Sequence, residues 1–264
     1  MGKIIRLVKI LLLLTFFFYF LNSLNANSND EIQNARNLFL KGDYQGAIEL
    51  CEALNTAESL VLQSRIISIY TYFYKNNDEA EKNYLKAYKL AKKAININMN
   101  NSETYVEAAH SLGRYGQQIG ILSAISMGIA DRVKKYLSKA LFLDSNNVIA
   151  NLSLGIWHAE IIDKAGKFIG GGVYGAKSKE ARKLFQKTLQ LNNNQIGLLY
   201  ELSYGYYLLG EEMDIKKSKE LISKLLKIQN YSHMDSLYKI KAQNLLKLLY
   251  WIKLFFYVPF VLLC

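Results

Sequence analysis

One amphipathic pattern recurs along this sequence and limits what the chain can fold into. Four segments align without gaps and begin at Ala87, Val133, Ala181 and Ser218. Each carries apolar or small residues at positions i, i+4 and i+7, which lie on one face of an α-helix. A fifth segment, GDYQGAIELCEAL from Gly42, has the same pattern. Helices of about 15 residues cannot bury such a face alone but can bury it by stacking, so the repeat predicts an α-solenoid.

A second type of helix follows most of these segments and completes the predicted pairs. Its copies group apolar and small residues, as expected where two helices approach closely. The residues are Tyr105, Ala108, Ala109 and Leu112; Leu152, Leu154, Gly155 and His158; and Leu199, Leu202, Ser203 and Tyr206. The turns before them contain asparagines at 100–101, 146–147 and 192–194, which we expect to end helices in the left-handed conformation that Asn tolerates. Pro259 is the single proline, so we predict an all-α fold of antiparallel helix pairs.

These helix pairs resemble the tetratricopeptide repeat (TPR) family over about residues 30–230. LFLKGDYQGAIELCEAL resembles the end of a first helix, the turn and the second helix, and LSLGIW resembles the family's leucine-glycine pair. The family's closing proline is replaced by Met99, Ser145 and Asn193, and the copies are more widely spaced. The resemblance therefore implies a TPR-like solenoid with enlarged loops inside its repeats. The segment DSLYKIKAQNLLKLL looks like a C-terminal capping helix.

Two of the enlarged connections resemble narrower families. GRYGQQIGILSAISMGIADRVKK and AGKFIGGGVYGAKSKEA, with HSLGRYGQ and LGIWHAE, are similar to the periplasmic T-component group of tripartite (TRAP) solute transporters and to the regulator of microtubule dynamics group. Both groups are helical-repeat proteins. The first resemblance implies a transporter accessory that holds an apolar or anionic small ligand in a helical-repeat cavity.

The first 26 residues have the layout of a secretory signal peptide. Lys3, Arg6 and Lys9 precede an apolar run over residues 10–21, and small and polar residues follow. We therefore expect residues 1–26 to direct export to the periplasm, although an uncleaved anchor that holds the protein at the inner membrane remains an alternative. Export favours the transporter group over a cytoskeletal role. The predicted repeat domain spans residues 27–249.

The end of the chain, residues 250–264, is an apolar tail with Lys253 as its one charged residue. Three interpretations stay open: a tail that contacts a membrane, a segment that packs back on the solenoid, and a non-native end from an altered reading frame. Without residues 1–26 the chain has 30 basic and 22 acidic residues. This basic balance fits an anionic partner or a solvated lysine-rich surface, and export argues against nucleic acid as a partner.

The stretch KFIGGGVYGAKSKEARKLF is the most glycine-rich in the chain and satisfies G-x-G-x-x-G. A dinucleotide or P-loop site needs a strand before the glycines, and here the preceding residues have helical periodicity and the P-loop spacing is one residue too long. We expect a flexible or tightly turned connection. A sharper hypothesis is an anion site at the start of the next helix, formed by Gly170, Gly172, Gly175, Lys177 and Ser178.

No arrangement of residues predicts catalysis, a metal or a cofactor. His110, His158 and His233 are the only histidines and lie far apart without partners at metal-ligand spacing. Trp157 is expected to pack between helices. Cys51 and Cys264 are too few for a disulfide framework, and we expect no bridge between them.

The concave surface of a solenoid is its usual binding surface. By helical phase, five residues are candidates for it: His110, Arg114, Tyr200, Tyr204 and Tyr207. The three tyrosines fall at i, i+4 and i+7, a stripe that forms core more often than contact surface. The sequence thus predicts an exported, non-catalytic scaffold that binds a protein partner of the cell envelope, with the transporter accessory as the alternative.

Overall fold

The computed structural model describes residues 29–257, and the side chains of all of these except 77, 121, 122 and 252–257. The predicted signal segment and residues 258–264 of the predicted tail lie outside the described residues. Within 29–257 the chain is helical, with no strand. The helices are α1 (29–41), α2 (Tyr44–Leu54), α3 (Ala57–Tyr74), α4 (Asn77–Ile97), α5 (Ser102–Ile119), α6 (Ile121–Ser126), α7 (Ile129–Leu143), α8 (Val148–Tyr174), α9 (Ser178–Leu191), α10 (Ile196–Leu209), α11 (Glu212–Lys227) and α12 (His233–Tyr257).

The helices form the predicted pairs. The main packing partners are α3 with α4, α5 with α7, α8 with α9, and α10 with α11, while α1 and α2 share a core around Ala35 and Ala47. The short helix α6 is inserted between the two helices of the third pair, where the sequence predicts an enlarged connection. Helices α3, α5, α8 and α10 all reach one central cavity. The first helix of each of these pairs therefore faces inward, as in a TPR-like solenoid.

Helix α12 caps the last pair and also closes the solenoid onto its first helices. It packs on α10 and α11, as predicted for a capping helix. At its start, the Tyr44 hydroxyl of α2 lies 2.8 Å from Met234 Sδ. Further along, the ring of Tyr238 contacts Phe73 of α3 and Tyr200 of α10, with centroids 5.1 and 5.6 Å apart. The sequence does not predict this closure.

The asparagine turns do not end helices in the left-handed conformation, and two of the three supply the cap that begins the next helix. Asn98, Asp144 and Asn192, at the ends of α4, α7 and α9, have extended backbone with φ of −140°, −144° and −155°. Asn101 and Asn147 cap the starts of α5 and α8, and each Oδ1 accepts a hydrogen bond from a backbone N–H of the following turn, at 2.9 and 2.8 Å. The left-handed expectation is wrong here because the free amides of the next helix offer these side chains a partner.

The glycine-rich stretch is mostly helical, which corrects the expectation of a flexible or turned connection. Helix α8 breaks at Gly166 (φ 74°) and then resumes through Gly170 and Gly172. The turn is confined to the residues after Tyr174, where Gly175 adopts φ 67° and its N–H bonds to the Gly170 carbonyl. Two backbone positions in the left-handed region, where glycine has no steric cost, thus delimit a short helical extension.

Phe185 is the centre of the largest core cluster. Its side chain is fully buried between α8 and α10. The ring lies against the Cα positions of Gly155 and Gly205, where a Cβ would collide with it. The two glycines therefore allow helices on either side to approach one aromatic ring.

None of the helices formed by the described residues is long and apolar enough to cross a bilayer.

Candidate functional site

The inner side of the solenoid encloses a cavity of about 490 Å³. Its walls come mainly from α5, α7 and α8, with contributions from α3, α6, α10 and α12. The apolar wall includes Ile129, Val133, Leu137, Leu152, Ile156 and Trp157. This volume falls in the range of small-molecule sites, which is about 300–1,000 Å³.

One stripe of α5 supplies polar groups to this cavity. Glu107, His110, Arg114 and Gln117 stand at i, i+3, i+7 and i+10 and all line it. This spacing keeps them on one helix face. The sequence prediction identified His110 and Arg114 as inner-surface residues, and both are in the wall.

Arg65 of α3 and Glu107 form a buried ion pair at one end of the stripe. Arg65 Nε donates to Glu107 Oε1 at 2.7 Å, and its Nη2 donates to Glu103 Oε2 at 2.6 Å. The Glu107 side chain is only 2% exposed. Burial would raise the pKa of Glu107, but Arg65 and His110 outweigh burial, so the pKa lies below its ordinary value. Glu107 is therefore held as a carboxylate inside the solenoid.

Arg114 is the central cation of the site. Its guanidinium lies 4.2 Å from the centroid of the Tyr72 ring and donates to Glu201 Oε1 at 3.2 Å. Lys241 Nζ of α12 lies 3.9 Å from the same ring centroid. Burial would lower the pKa of Arg114, but the attraction of the Glu201 carboxylate outweighs burial and the pKa lies above its ordinary value. The guanidinium therefore stays charged. Helices α3, α5, α10 and α12 thus meet around Tyr72.

Glu160 of α8 is the third carboxylate of the cavity wall. Its Oε1 accepts a hydrogen bond of 2.6 Å from Gln117 Nε2. The pKa of Glu160 is raised because burial outweighs the attraction of Lys164 and Arg114. A half-buried carboxyl with a raised pKa beside a cavity is a candidate ligand contact.

The three predicted tyrosines divide between wall and core. Tyr204 lines the cavity, and Tyr207 packs on it with ring centroids 6.2 Å apart. Tyr200 is 7% exposed, and its hydroxyl lies 3.5 Å from that of Tyr72. Burial raises its pKa. Tyr200 therefore belongs to the core beneath α12. For this tyrosine the core interpretation holds, and not the interpretation as a contact surface.

The predicted anion loop consists of the end of α8, the start of α9 and the residues between them. Gly170 is buried, Gly172 is exposed, and α9 begins at Ser178 as expected. The backbone N–H of Lys177 already donates to His158 Nδ1 at 3.2 Å. One of the amides that an anion would need is thus engaged, and anion binding stays a prediction.

Trp157 and His158 are buried residues of α8. Trp157 Nε1 donates to the Ala130 carbonyl at 2.9 Å, which confirms its expected packing between helices. His158 is buried, and burial lowers its pKa to about 4 with a smaller contribution from the Lys134 cation.

Cys51 is a buried free thiol in α2, and Cys264 lies outside the described residues. Among residues 29–257, no group of three His, Cys, Asp or Glu side chains could hold a metal ion.

Sequence reasoning missed Arg65, Glu107, Glu160 and Glu201. Glu107 gave no clear signal, because its neighbours on the same helix face, including Thr104, His110 and Ser111, are polar as well. Such a face is as compatible with solvent as with a buried ion pair. Its partner, Arg65, comes from a different helix pair and could not be read from the sequence of α5.

Comparison with solved structures confirms the TPR-like fold. The chain is similar to the crystal structure of TTC0263, a thermophilic TPR protein of Thermus thermophilus, with a TM-score of 0.57 and 13% identity over 82% of this chain and 99% of that one. A crystal structure of MamA protein matches with a TM-score of 0.42 and 17% identity over 76% and 94% of the two chains.

Comparison of the sequence with protein families gives a narrower result. No curated protein matches the sequence significantly. The family model described as regulator of microtubule dynamics protein 1-3 matches residues 31–250. This is one of the two narrower groups that the connections of the third and fourth repeats resemble. The chain belongs to the regulator of microtubule dynamics protein 1-3 family.

Proposed function

We propose that this protein is a non-catalytic scaffold that binds a protein partner on the inner surface of its solenoid. The observation that carries the proposal is the convergence of α3, α5, α8 and α10 on one cavity with polar and apolar walls. Stacked helix pairs present such an inner surface for binding without needing reactive groups. His110, Arg114 and Tyr204 all line it.

Affinity capture with matched variants tests this proposal. The double substitution His110→Ala with Tyr204→Ala removes two side chains from the inner wall, and Phe142→Ala removes one that is 80% exposed on α7. We expect wild type and Phe142→Ala to capture the same partner and the inner-wall variant to lose it. Equal capture by all three proteins would contradict binding on the inner surface.

The place of action is proposed from residues 1–26. Their basic start and apolar run support export to the periplasm, with retention at the inner membrane if the segment stays uncleaved. In the periplasm the protein would meet protein partners of the envelope, including a transporter subunit. Contact of residues 250–264 with the membrane would help to hold it there. Sequencing the N-terminus of the mature protein decides whether residues 1–26 are removed.

Tubulin is a second candidate partner, because the family's name refers to microtubule dynamics. Co-sedimentation of the purified protein with stabilised microtubules tests it. Saturable co-sedimentation would support tubulin and count against the periplasmic placement. Protein that stays in the supernatant while envelope proteins are captured would favour the scaffold of the envelope.

An accessory of a solute transporter, with a small ligand held in the inner cavity, is the second candidate function. The size and mainly apolar wall of the cavity support it. Copurification of one transporter subunit with the wild-type protein would favour this role over a general scaffold.

A further inference from the structure

The inner cavity contains a buried acceptor that the fold leaves without a hydrogen bond. Glu107 Oε1 accepts a hydrogen bond from the Arg65 guanidinium. Glu107 Oε2 accepts no hydrogen bond from the described side chains and backbone. His110 Nδ1 is the neighbouring polar atom at 3.9 Å, which is beyond hydrogen-bond distance. A buried carboxylate oxygen without a donor costs free energy, so its retention in a cavity wall points to a donor that arrives from outside.

The cations of the cavity do not supply that donor. Arg65 is engaged by Glu103 and Glu107, and Arg114 is engaged by Glu201. Lys164 lines the cavity from an exposed position, which leaves its amine in contact with solvent.

A second carboxyl in the wall has spare acceptor capacity as well. Glu160 forms no ion pair within the described part of the chain and accepts a single hydrogen bond there, from Gln117. Its pKa is raised mainly by burial. A ligand cation added to Lys164 and Arg114 would lower this pKa, since an opposite charge favours the ionised form.

The rest of the wall is apolar and sized for a small molecule. Leu137, Leu152 and Ile156 contribute to it, and the cavity holds about 490 Å³. A ligand here therefore needs an apolar body as well as a donor group. Glu107 Oε2 is the buried carboxylate oxygen of the wall without a donor among the described residues, so an anionic group placed against it would be repelled.

We infer that the inner cavity binds a small organic cation, namely an apolar body that carries a protonated amine or guanidinium whose N–H donates to Glu107 Oε2. This inference does not depend on the proposed protein partner, because the cavity and Glu107 are the same whether or not a protein also binds. The ligand is bound and released unchanged, so no covalent step is involved.

The test uses n-octylamine, with 1-octanol and octanoate as uncharged and anionic probes of the same chain length. The chain has two tryptophans. Trp157 is in the cavity wall and Trp251 is exposed, so Trp251→Phe leaves Trp157 fluorescence as the reporter. We expect saturable binding of octylamine, with octanol and octanoate weaker by at least about tenfold, the factor that loss of one charged hydrogen bond produces. Equal binding of all three probes, or no binding of octylamine, would overturn the inference.

Two substitutions test the role of Glu107, because each removes one of the two carboxylates that accept from Arg65. Glu107→Gln removes the cavity carboxylate, and Glu103→Gln removes the other partner of Arg65, which does not line the cavity. We expect octylamine binding to weaken about tenfold in Glu107→Gln and to persist in Glu103→Gln. Unchanged affinity in Glu107→Gln would refute the assignment.

Ser153→Phe provides an independent test that keeps every charge. Ser153 lines the cavity on α8, and a phenyl group there fills the space for the apolar body. We expect this variant to lose octylamine binding while circular dichroism shows the wild-type helix content. Retained binding would place the site elsewhere and contradict the inference, even if Glu107→Gln failed to fold.

Discussion

The Tyr74 hydroxyl and His233 Nε2 lie 2.8 Å apart although 159 positions separate the two residues in sequence. Tyr74 is the last residue of the second repeat's first helix, and His233 begins the capping helix. The cap therefore touches both ends of the helical stack. Such long-range contacts make the stability of a repeat protein depend on its ends as well as on neighbouring pairs.

Tyr238→Ala tests the contribution of this closure. Tyr238 packs on Phe73 and Tyr200 and lies against Gly197, so we expect its truncation to lower the free energy of unfolding by about 3 kcal/mol, as for other large aromatic truncations. Tyr231→Ala removes a ring that is 85% exposed and should change stability by less than about 0.5 kcal/mol. Urea unfolding measures both, and equal effects would show that the closure contributes little.

Gly205→Ala should destabilise the protein although alanine favours helices. A Cβ at Gly205 collides with the buried Phe185 ring, and overpacking typically costs about 1–3 kcal/mol. Gly113 is also inside a helix, but a Cβ there meets only Val133 at 3.9 Å, so Gly113→Ala should stabilise by about 0.5–1 kcal/mol. The opposite signs are measurable by urea unfolding, and stabilisation by both substitutions would mean that Phe185 adapts.

Stability should fall between pH 6.5 and 4 because of His158. Its pKa is lowered from 6.5 to about 4, so in this window the unfolded chain binds a proton that the folded chain excludes. The loss is at most about 3 kcal/mol. His158→Asn keeps an acceptor for the Lys177 N–H but does not titrate, so its stability curve should be flatter. Parallel curves for wild type and variant would assign the pH dependence to other groups.

The pair of Arg182 and Asp214 should be a main electrostatic contact between α9 and α11. Arg182 donates to both Asp214 oxygens at 2.9 and 2.6 Å, and Asp214 is 1% exposed. Asp214→Ala leaves the guanidinium without this partner and should cost about 3 kcal/mol. Glu220→Ala removes the surface pair with Lys217 and should cost less than about 0.5 kcal/mol. Thermal unfolding of the two variants at the same salt concentration compares their stabilities. Similar losses of stability would contradict the expectation that the buried pair contributes more than the surface pair.

The helix pairs could be predicted from the sequence because their signals are local. Apolar spacing on one helix face is set by neighbouring residues, and it predicted α2, α4, α7, α9 and α11. The inward position of His110 and Arg114 followed from the same periodicity. The glycine-rich stretch was harder, because glycine permits both helix and turn, and only Gly166 and Gly175 adopt positive φ there.

Contacts across the solenoid could not be predicted from sequence. The meeting of His233 with Tyr74 depends on the summed curvature of all the helix pairs between them, and no segment encodes that sum. The same holds for Arg65 and Glu107, which belong to different repeats. Their pairing is decided by how α3 packs beside α5.

Site-specific photo-crosslinking tests the proposed binding of a protein partner to the inner surface most directly. A benzoylphenylalanine placed at Ile125 stands in the cavity wall at a position that is 49% exposed, and one placed at Phe142 is exposed on α7. The proposal predicts one defined crosslinked protein from position 125 and none from position 142. A crosslinked partner from position 142 alone would show that the inner surface is not where this solenoid binds.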